Sequence, residues 1–209
     1  MRLGLFGGTF NPIHIGHLRV AEEVMESLLL DKIIFVPSYL PPHKELSDNV
    51  EGARRLEIVK LAVKSNPRFE VSSFEVDSAG SSYSIKTIEH IRETYGCPPY
   101  FILGQDAFNE ISSWYQAERL FDVAHFVVMS RPDAVKYPLA DVLGKSAARF
   151  QATPKGFIND SGNEIIFVEV TAYAVSSSQI RDLCKQGRSI KYLVLEEVHD
   201  YIRNERIYT

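Results

Sequence analysis

Three short stretches of the chain carry residue types that suit phosphate chemistry. The first, GGTFNPIHIGH (residues 7–17), sets Gly7 and Gly8 and then His14 and His17 where a short apolar run gives way to helical periodicity. The glycines permit a tight turn and close approach of backbone to a ligand. The helix that follows opens with unpaired N–H groups and the positive end of its dipole, which together make an anion site. His14 and His17, three residues apart, can present both imidazoles on one side of this helix start, where either could hydrogen-bond a phosphate oxygen and stabilise charge in a transition state. A metal reading is weaker, because H-x-x-H alone lacks further close ligands. Neither G-x-x-x-x-G-K-[ST] nor G-x-G-x-x-G occurs at this turn, so phosphates would be handled another way. A glycine turn with two incidental polar caps is the plain alternative.

The second stretch, VSSSQIRDL (residues 175–183), has Ser176 and Gln179 at capping-box spacing, which opens another helix directly after a strand. Ser177, Ser178 and Arg181 would then offer donors to a polyphosphate, although an ordinary capped surface helix would read the same way. The third is GQD, where Gly104 ends a buried-type strand and Asp106 could accept from ribose hydroxyls. Two weaker signals accompany these. In PPHK, Lys44 adds a cation and His43 a donor, as a solvated surface loop also would. In WYQ, Trp114 is the single tryptophan; its indole could stack on an electron-poor ring or fill core, and Tyr83 in GSSYS is equally two-sided.

The elements that must position these residues follow from apolar periodicity. Arg2–Phe6 reads as a strand, residues 15–29 as a helix, and Lys32–Pro37 as a strand apolar on both faces, so the first 37 residues form a βαβ unit. Residues 38–49 read as a polar loop, the one expected to close over substrate. Further along, the pattern predicts a helix over Glu51–Ser65, a weak strand over Phe69–Phe74, a helix over Ser84–Tyr95 ending at Gly96, and a strand over Pro99–Leu103. Trp114–Phe121 reads as helix, Ala124–Met129 as strand and Glu164–Val170 as the last strand, with closing helices over Ser176–Gln186 and Ile190–Asn204. Residues 133–163 give no legible pattern. Alternating strand and helix predict an α/β, Rossmann-like doubly wound sheet, mostly parallel, with helices on both faces and C-terminal helices over about 176–209. No linker, repeat or low-complexity run interrupts residues 1–209, which are expected to form a single domain. Ligands in such sheets bind beyond the carboxyl ends of the strands where strand order reverses. That puts the motif loops after Phe6, Pro37, Leu103 and Val170.

The bulk composition narrows the partners. With 209 residues, 45% hydrophobic and 24% charged, the chain can bury a sizeable core, and a formal net charge of -4 argues against a nucleic-acid polymer as partner. Cys97 and Cys184 are far apart and form no C-x-x-C pair, as expected of reduced thiols. No apolar run approaches a membrane span and the N-terminal apolar stretch is too short for a signal peptide, so a cytoplasmic protein with no membrane association is expected. A homo-oligomer is compatible with all of this.

Together these residues resemble a known family. Gly8, Phe10, Pro12, His14, Gly16 and His17 match the G-x-F-x-P-x-H-x-G-H signature of the nucleotidyltransferase superfamily, and SSSQIR resembles its C-terminal I-S-S-T-x-I-R signature. PPHK, SSYSIKT, GQD, SWYQ and the ending VLEEVHDYIRNERIY are similar in order and spacing to bacterial nicotinate-mononucleotide adenylyltransferases. Asn11 stands where Asp is frequent and Ser178 where Thr is frequent; both keep the local hydrogen-bonding character. The resemblance implies adenylyl transfer from ATP to nicotinate mononucleotide, with ATP carrying Mg²⁺ and no dedicated protein metal site. It places His14 and His17 on the ATP phosphates, with Gly7, Gly8, Thr9 and Phe10 in the ATP-binding loop, Ser177, Ser178 and Arg181 on the β- and γ-phosphates, and Gly104 and Asp106 on the adenosine side. His14, His17 and Arg181 would be catalytic. Trp114 would stack on the pyridine, backbone near Tyr83, Ser84 and Tyr115 would read its carboxylate, and Lys44 would steer the acceptor phosphate. Transfer to nicotinamide mononucleotide, phosphopantetheine or a CTP-derived nucleotide, a fragment of a class I aminoacyl-tRNA synthetase, and a silent nucleotide sensor are the competing readings.

Overall fold

The structure, a computed structural model, describes residues 1–39, 50–78, 80, 82–130, 135 and 137–209. Its frame is an eight-stranded sheet: β1 (Leu3–Gly8), β2 (Lys32–Pro37), β3 (Phe69–Val71), β4 (Tyr100–Gly104), β5 (His125–Ser130), β6 (Phe150–Thr153), β7 (Gly156–Asn159) and β8 (Glu164–Glu169), in the order β3-β2-β1-β4-β5-β8-β7-β6. The first six of that order are parallel neighbours; β7 and β6 add an antiparallel hairpin at one edge. The α/β doubly wound reading therefore holds. The helices are α1 (Ile15–Leu28), α2 (Gly52–Val63), α3 (Phe74–Ser78), α4 (Ser84–Tyr95), α5 (Gln105–Asn109), α6 (Ala117–Val123), α7 (Leu139–Leu143), α8 (Ser177–Lys185) and α9 (Glu196–Asn204).

Alternation along each central strand divides the core in two. Phe6, Ile33, Phe35, Ile102 and Val127 face one side, packed by α1, α2, α8 and α9; Leu5, Ile34, Val36, Phe101, Phe126 and Val128 face the other, packed by α4 to α7. Both faces being buried is why these strands read as continuous apolar runs. In α1 the inward stripe is Ala21, Val24, Met25 and Leu28, at i, i+3, i+4 and i+7, and Leu29 closes the helix in the left-handed region.

Several expected elements need correction. The β3 strand stops at Val71, and Phe74 instead opens α3, whose Ser78 hydroxyl bonds back to the Phe74 carbonyl. Trp114 precedes α6: it ends a 3-10 turn over Ile111–Ser113 in extended backbone, and Gln116 in the left-handed region starts the helix. Ile190–Leu195 is not helical. Its buried Ile190 and Val194 mimic helical spacing, but Tyr192 takes φ 66° and Lys191 bridges Val194, so α9 begins only at Glu196. Residues 139–163, illegible in sequence, hold α7, a 3-10 segment and the β6–β7 hairpin.

Gly156 marks the entry to β7. Its φ is 150°, and an added Cβ would stand 2.0 Å from the Ile165 carbonyl oxygen of the neighbouring β8. Gly156→Ala should therefore cost about 2–3 kcal/mol in urea unfolding, through strain and overpacking, while catalytic activity per folded molecule is unchanged because the hairpin lies at the sheet edge away from β1 and β4.

Candidate active site

The strand order reverses between β1 and β4, and the turn after β1 emerges at that switch point. Gly8 ends the strand, Phe10 takes φ 45°, and the Asn11–Pro12 peptide is cis. The Phe10 ring is buried against Phe6, Phe35 and His17 and lines neither of the two cavities beside the turn; it anchors the turn to the core. His14 is the N-cap of α1, with extended backbone, and its N–H donates to Nδ1 of His17 at 3.2 Å. The two imidazoles stack with centroids 3.7 Å apart. The pair is thus brought together by a cap and not by helical i,i+3 spacing, since His14 lies outside the helix. A neutral His17 that accepts at Nδ1 carries its proton on Nε2, leaving that N–H as a donor. Burial first, and then the neighbouring His14 charge, push the His17 pKa from 6.5 down to about 3.

Two cavities flank this turn. The larger, about 790 Å³, is lined by His14, Gly16, His17, Gly104, Asp106 and Ser177 among others, with the backbone segment Val170–Ser176 as its far wall. Gly16 has no Cβ to collide with the His14 ring and Val175, which would stand at 3.1 and 3.0 Å, so the segment can close against the helix start. Glu23 holds the same segment by accepting the Thr171 N–H at 2.8 Å. Gly104 ends β4 and caps α5, so Asp106 sits in the first turn of a helix that was expected to be loop.

The smaller cavity, about 350 Å³, is lined by Gly7, Gly8, Thr9, Ser38, Glu75, Ser82, Tyr83, Ser84, Thr87, Trp114 and Tyr115 together with Phe101, Ala107, Glu110 and Ser113. Gly7, Gly8 and Thr9, expected on the ATP side, line this one, so the turn is a wall between the two. Trp114 is half-buried edge-on against Phe101 at 6.1 Å, partly core and partly cavity wall, and Tyr83 packs on Tyr115 at 4.6 Å. Glu75, which no sequence signal singled out, is part of this cavity's lining. Thr87 Oγ1 donates to its Oε1 at 2.5 Å. Burial raises its pKa, against the opposing hydrogen bonds from Ser82 and Thr87 and the charge of Arg55.

The start of α8 closes on the same turn. Ser176 caps it, accepting the Gln179 N–H at 3.2 Å. Ser177 Oγ donates to the Pro12 carbonyl at 2.8 Å, and Arg181 Nη1 to the Asn11 carbonyl at 2.9 Å, with Nη2 3.3 Å from Ser178 Oγ. Tyr208, the penultimate residue, donates its hydroxyl to Asn11 Oδ1 at 2.7 Å. His14, His17, Arg181 and Ser177 are thereby gathered at one point from the two ends of the chain. Lys44 and His43 lie outside the described residues. Among the described residues no three His, Cys, Asp or Glu side chains converge as a metal cluster, and no helix is long and apolar enough to cross a membrane.

Protonating His17 is opposed in the folded protein and free in the unfolded chain. The unfolded state therefore takes up this proton below pH 6.5 and the folded state only near 3, so the stability tied to His17 is full above pH 6.5 and is lost as pH falls through that window. In urea titrations from pH 7 to 4, His17→Gln should flatten the acid loss of stability relative to the parent chain.

Known proteins share this sequence and fold. A model of the cytidylyltransferase-like family matches residues 5–183. A relative from Geotalea daltonii, described as a probable nicotinate-nucleotide adenylyltransferase, is 42% identical over 212 residues, covering 100% of this chain and 98% of its own. One from Geobacter metallireducens, described likewise, is 42% identical and covers 100% of this chain and 99% of its own. Among solved structures, Plasmodium falciparum nicotinic acid mononucleotide adenylyltransferase complexed with NaAD superposes with a TM-score of 0.71 at 17% identity, covering 99% of this chain and 97% of that one, which speaks to the fold. With a family match across most of its length and full-length relatives at this identity, the chain belongs to the nicotinate-nucleotide adenylyltransferase family, within the cytidylyltransferase-like group.

Proposed function

We propose that residues 1–209 work as one nucleotidyltransferase domain that moves the adenylyl group of ATP to nicotinate mononucleotide, giving deamido-NAD and pyrophosphate. The observation that carries this reading is the pair of cavities separated by a single turn: one beside His14 and His17, the other beside Trp114. Two substrates seated either side of that turn meet at its rim.

In this reading the triphosphate lies along His14, His17 and the α8 start, with the adenosine toward Gly104 and Asp106. The acceptor enters the smaller cavity with its ring on Trp114 and its carboxylate on backbone N–H groups near Tyr83, Ser84 and Tyr115. A phosphate oxygen of the mononucleotide forms a bond to the α-phosphorus while the bond from that phosphorus to the bridging oxygen breaks, and pyrophosphate leaves with the electron pair. No protein nucleophile is needed, so the chain contributes alignment and charge stabilisation. His17, kept neutral by burial, donates from Nε2 to a non-bridging oxygen without having to lose or gain a proton. Ser177, Ser178 and Arg181 hold the leaving phosphates, and Lys44 the acceptor phosphate. The side chains lining the larger cavity include imidazoles and hydroxyls, and Asp106 is the one carboxylate among its described lining residues, a set suited to a cation held by ATP itself. Mg²⁺ bound to the phosphates would neutralise part of their charge. A cytoplasmic location fits such a reaction, which draws on ATP.

A second acceptor, nicotinamide mononucleotide, is favoured by one feature: among the described residues lining the smaller cavity the charged side chains are Glu75 and Glu110, which disfavour an anionic substituent. Pyrophosphate release with MgATP and each mononucleotide separates the two. The acid should turn over faster; equal rates, or faster turnover of the amide, would remove the acid-specific assignment. His17→Ala should lower kcat by about 10²-fold or more with ATP affinity retained, as when one transition-state donor is lost. A variant with parental kcat would take His17 out of the mechanism.

A further inference from the structure

The turn between the two cavities is held from behind by a residue outside every motif. Arg55, on α2, has no exposed surface. Its Nη1 donates to the Thr9 carbonyl at 2.7 Å, Nη2 to the Tyr39 carbonyl at 3.0 Å and Nε to the Val50 carbonyl at 3.1 Å. Burying a cation is costly, and an apolar side chain of similar volume would fill the space with less penalty. What the guanidinium adds is a rigid fork that joins three separate segments. Thr9 belongs to the wall of the smaller cavity, and Tyr39 and Val50 flank residues 40–49, which include Lys44.

The connection continues beyond Arg55. The Tyr39 N–H donates to Ser82 Oγ at 2.9 Å, and Glu75 draws hydrogen bonds from Ser82 and Thr87. Polar contacts therefore run from the Thr9 carbonyl through Arg55 to the Tyr39 carbonyl, and from the N–H of the same residue, on the adjoining peptide, to Ser82 on the acceptor side. Because the peptide is planar and trans, fixing the Thr9 carbonyl also fixes the Phe10 N–H, which points the opposite way, away from Arg55. We propose that Arg55 is a positioning residue that sets the placement of the Gly7–Thr9 turn relative to the Ser82–Ser84 turn, and so lines up the acceptor phosphate with the α-phosphorus of ATP. This rests on the adenylyl-transfer reading above.

Arg55→Lys keeps the charge but replaces the fork by one ammonium, which cannot hold three carbonyls in the same geometry. The parent chain and the variant are assayed together with MgATP and nicotinate mononucleotide, with kcat and both KM values expressed per folded molecule from near-UV circular dichroism. The expected result is kcat lower by about 10-fold or more and a raised mononucleotide KM, with the equilibrium Kd for ATP within about threefold of the parent, the pattern of lost alignment. A lowered unfolding midpoint with kcat and KM unchanged per folded molecule would show a merely structural arginine and overturn the proposal. Should Arg55→Lys fail to fold, Ser82→Ala cuts the same run of contacts at its far end; a mononucleotide KM raised by about fivefold with unchanged ATP KM supports the proposal, and parental kinetics overturn it. A parent chain inactive with both mononucleotides would instead overturn the proposed function, and this inference with it.

Discussion

The site depends on a constraint at the turn after β1: its carbonyl groups must be satisfied by groups other than the ligand. A backbone run that leaves a strand and enters a helix makes few ladder bonds of its own, and buried acceptors left without donors are costly. Here the Gly8 carbonyl accepts from the Ser38 N–H, Thr9 from Arg55, Asn11 from Arg181 and Pro12 from Ser177. The four donors come from three places in the chain: Ser38 just after β2, Arg55 on α2, and Ser177 and Arg181 in the first turns of α8. The turn is rigid only when all of them are folded. That ties the order of the site to the order of the whole domain.

The parallel sheet supplies the frame for that convergence. With β1 and β4 adjacent and their crossover connections running to opposite sides, a crevice opens above their carboxyl ends, and the β1 turn divides it. One side is walled by imidazoles, hydroxyls and the backbone of residues 170–176; the other by aromatic rings and the buried Glu75 network. This division gives two neighbouring compartments of different chemistry from one turn, the larger polar enough for phosphates and the smaller shaped by Trp114, Tyr83 and Tyr115. The fold-level likeness to the Plasmodium falciparum enzyme at 17% identity follows from the frame, which many sequences can build.

His17 shows how packing sets chemistry. In water an imidazole is partly protonated near neutrality. Stacked on a second imidazole, with Nδ1 engaged by the His14 N–H and Phe6 and Phe10 rings around it, the neutral form dominates. The Nε2–H of the neutral ring then stays in place across the physiological pH range.

The fold class, the βαβ opening, α1, β2, α4 and β4 are legible in the sequence because apolar periodicity is a local property and both faces of the central sheet are buried. The two histidines, SSSQIR and Trp114 are legible as candidates because residue type and spacing are local too. Tertiary structure decided the rest. The β6–β7 hairpin is weakly apolar and packs only at a sheet edge; Ile190–Leu195 imitates helical spacing while Tyr192 turns the backbone the other way. Arg55, Glu75 and Tyr208 lie in unremarkable sequence, an amphipathic helix, a five-residue helix and the chain's end, and gain their roles only from the carbonyls and hydroxyls that long-range contacts bring to them. By itself, the sequence determined which groups could meet a phosphate. Only the folded chain decided which of them stand together, because hydrogen bonds between residues 11 and 181, or 9 and 55, depend on the packing of every element between them.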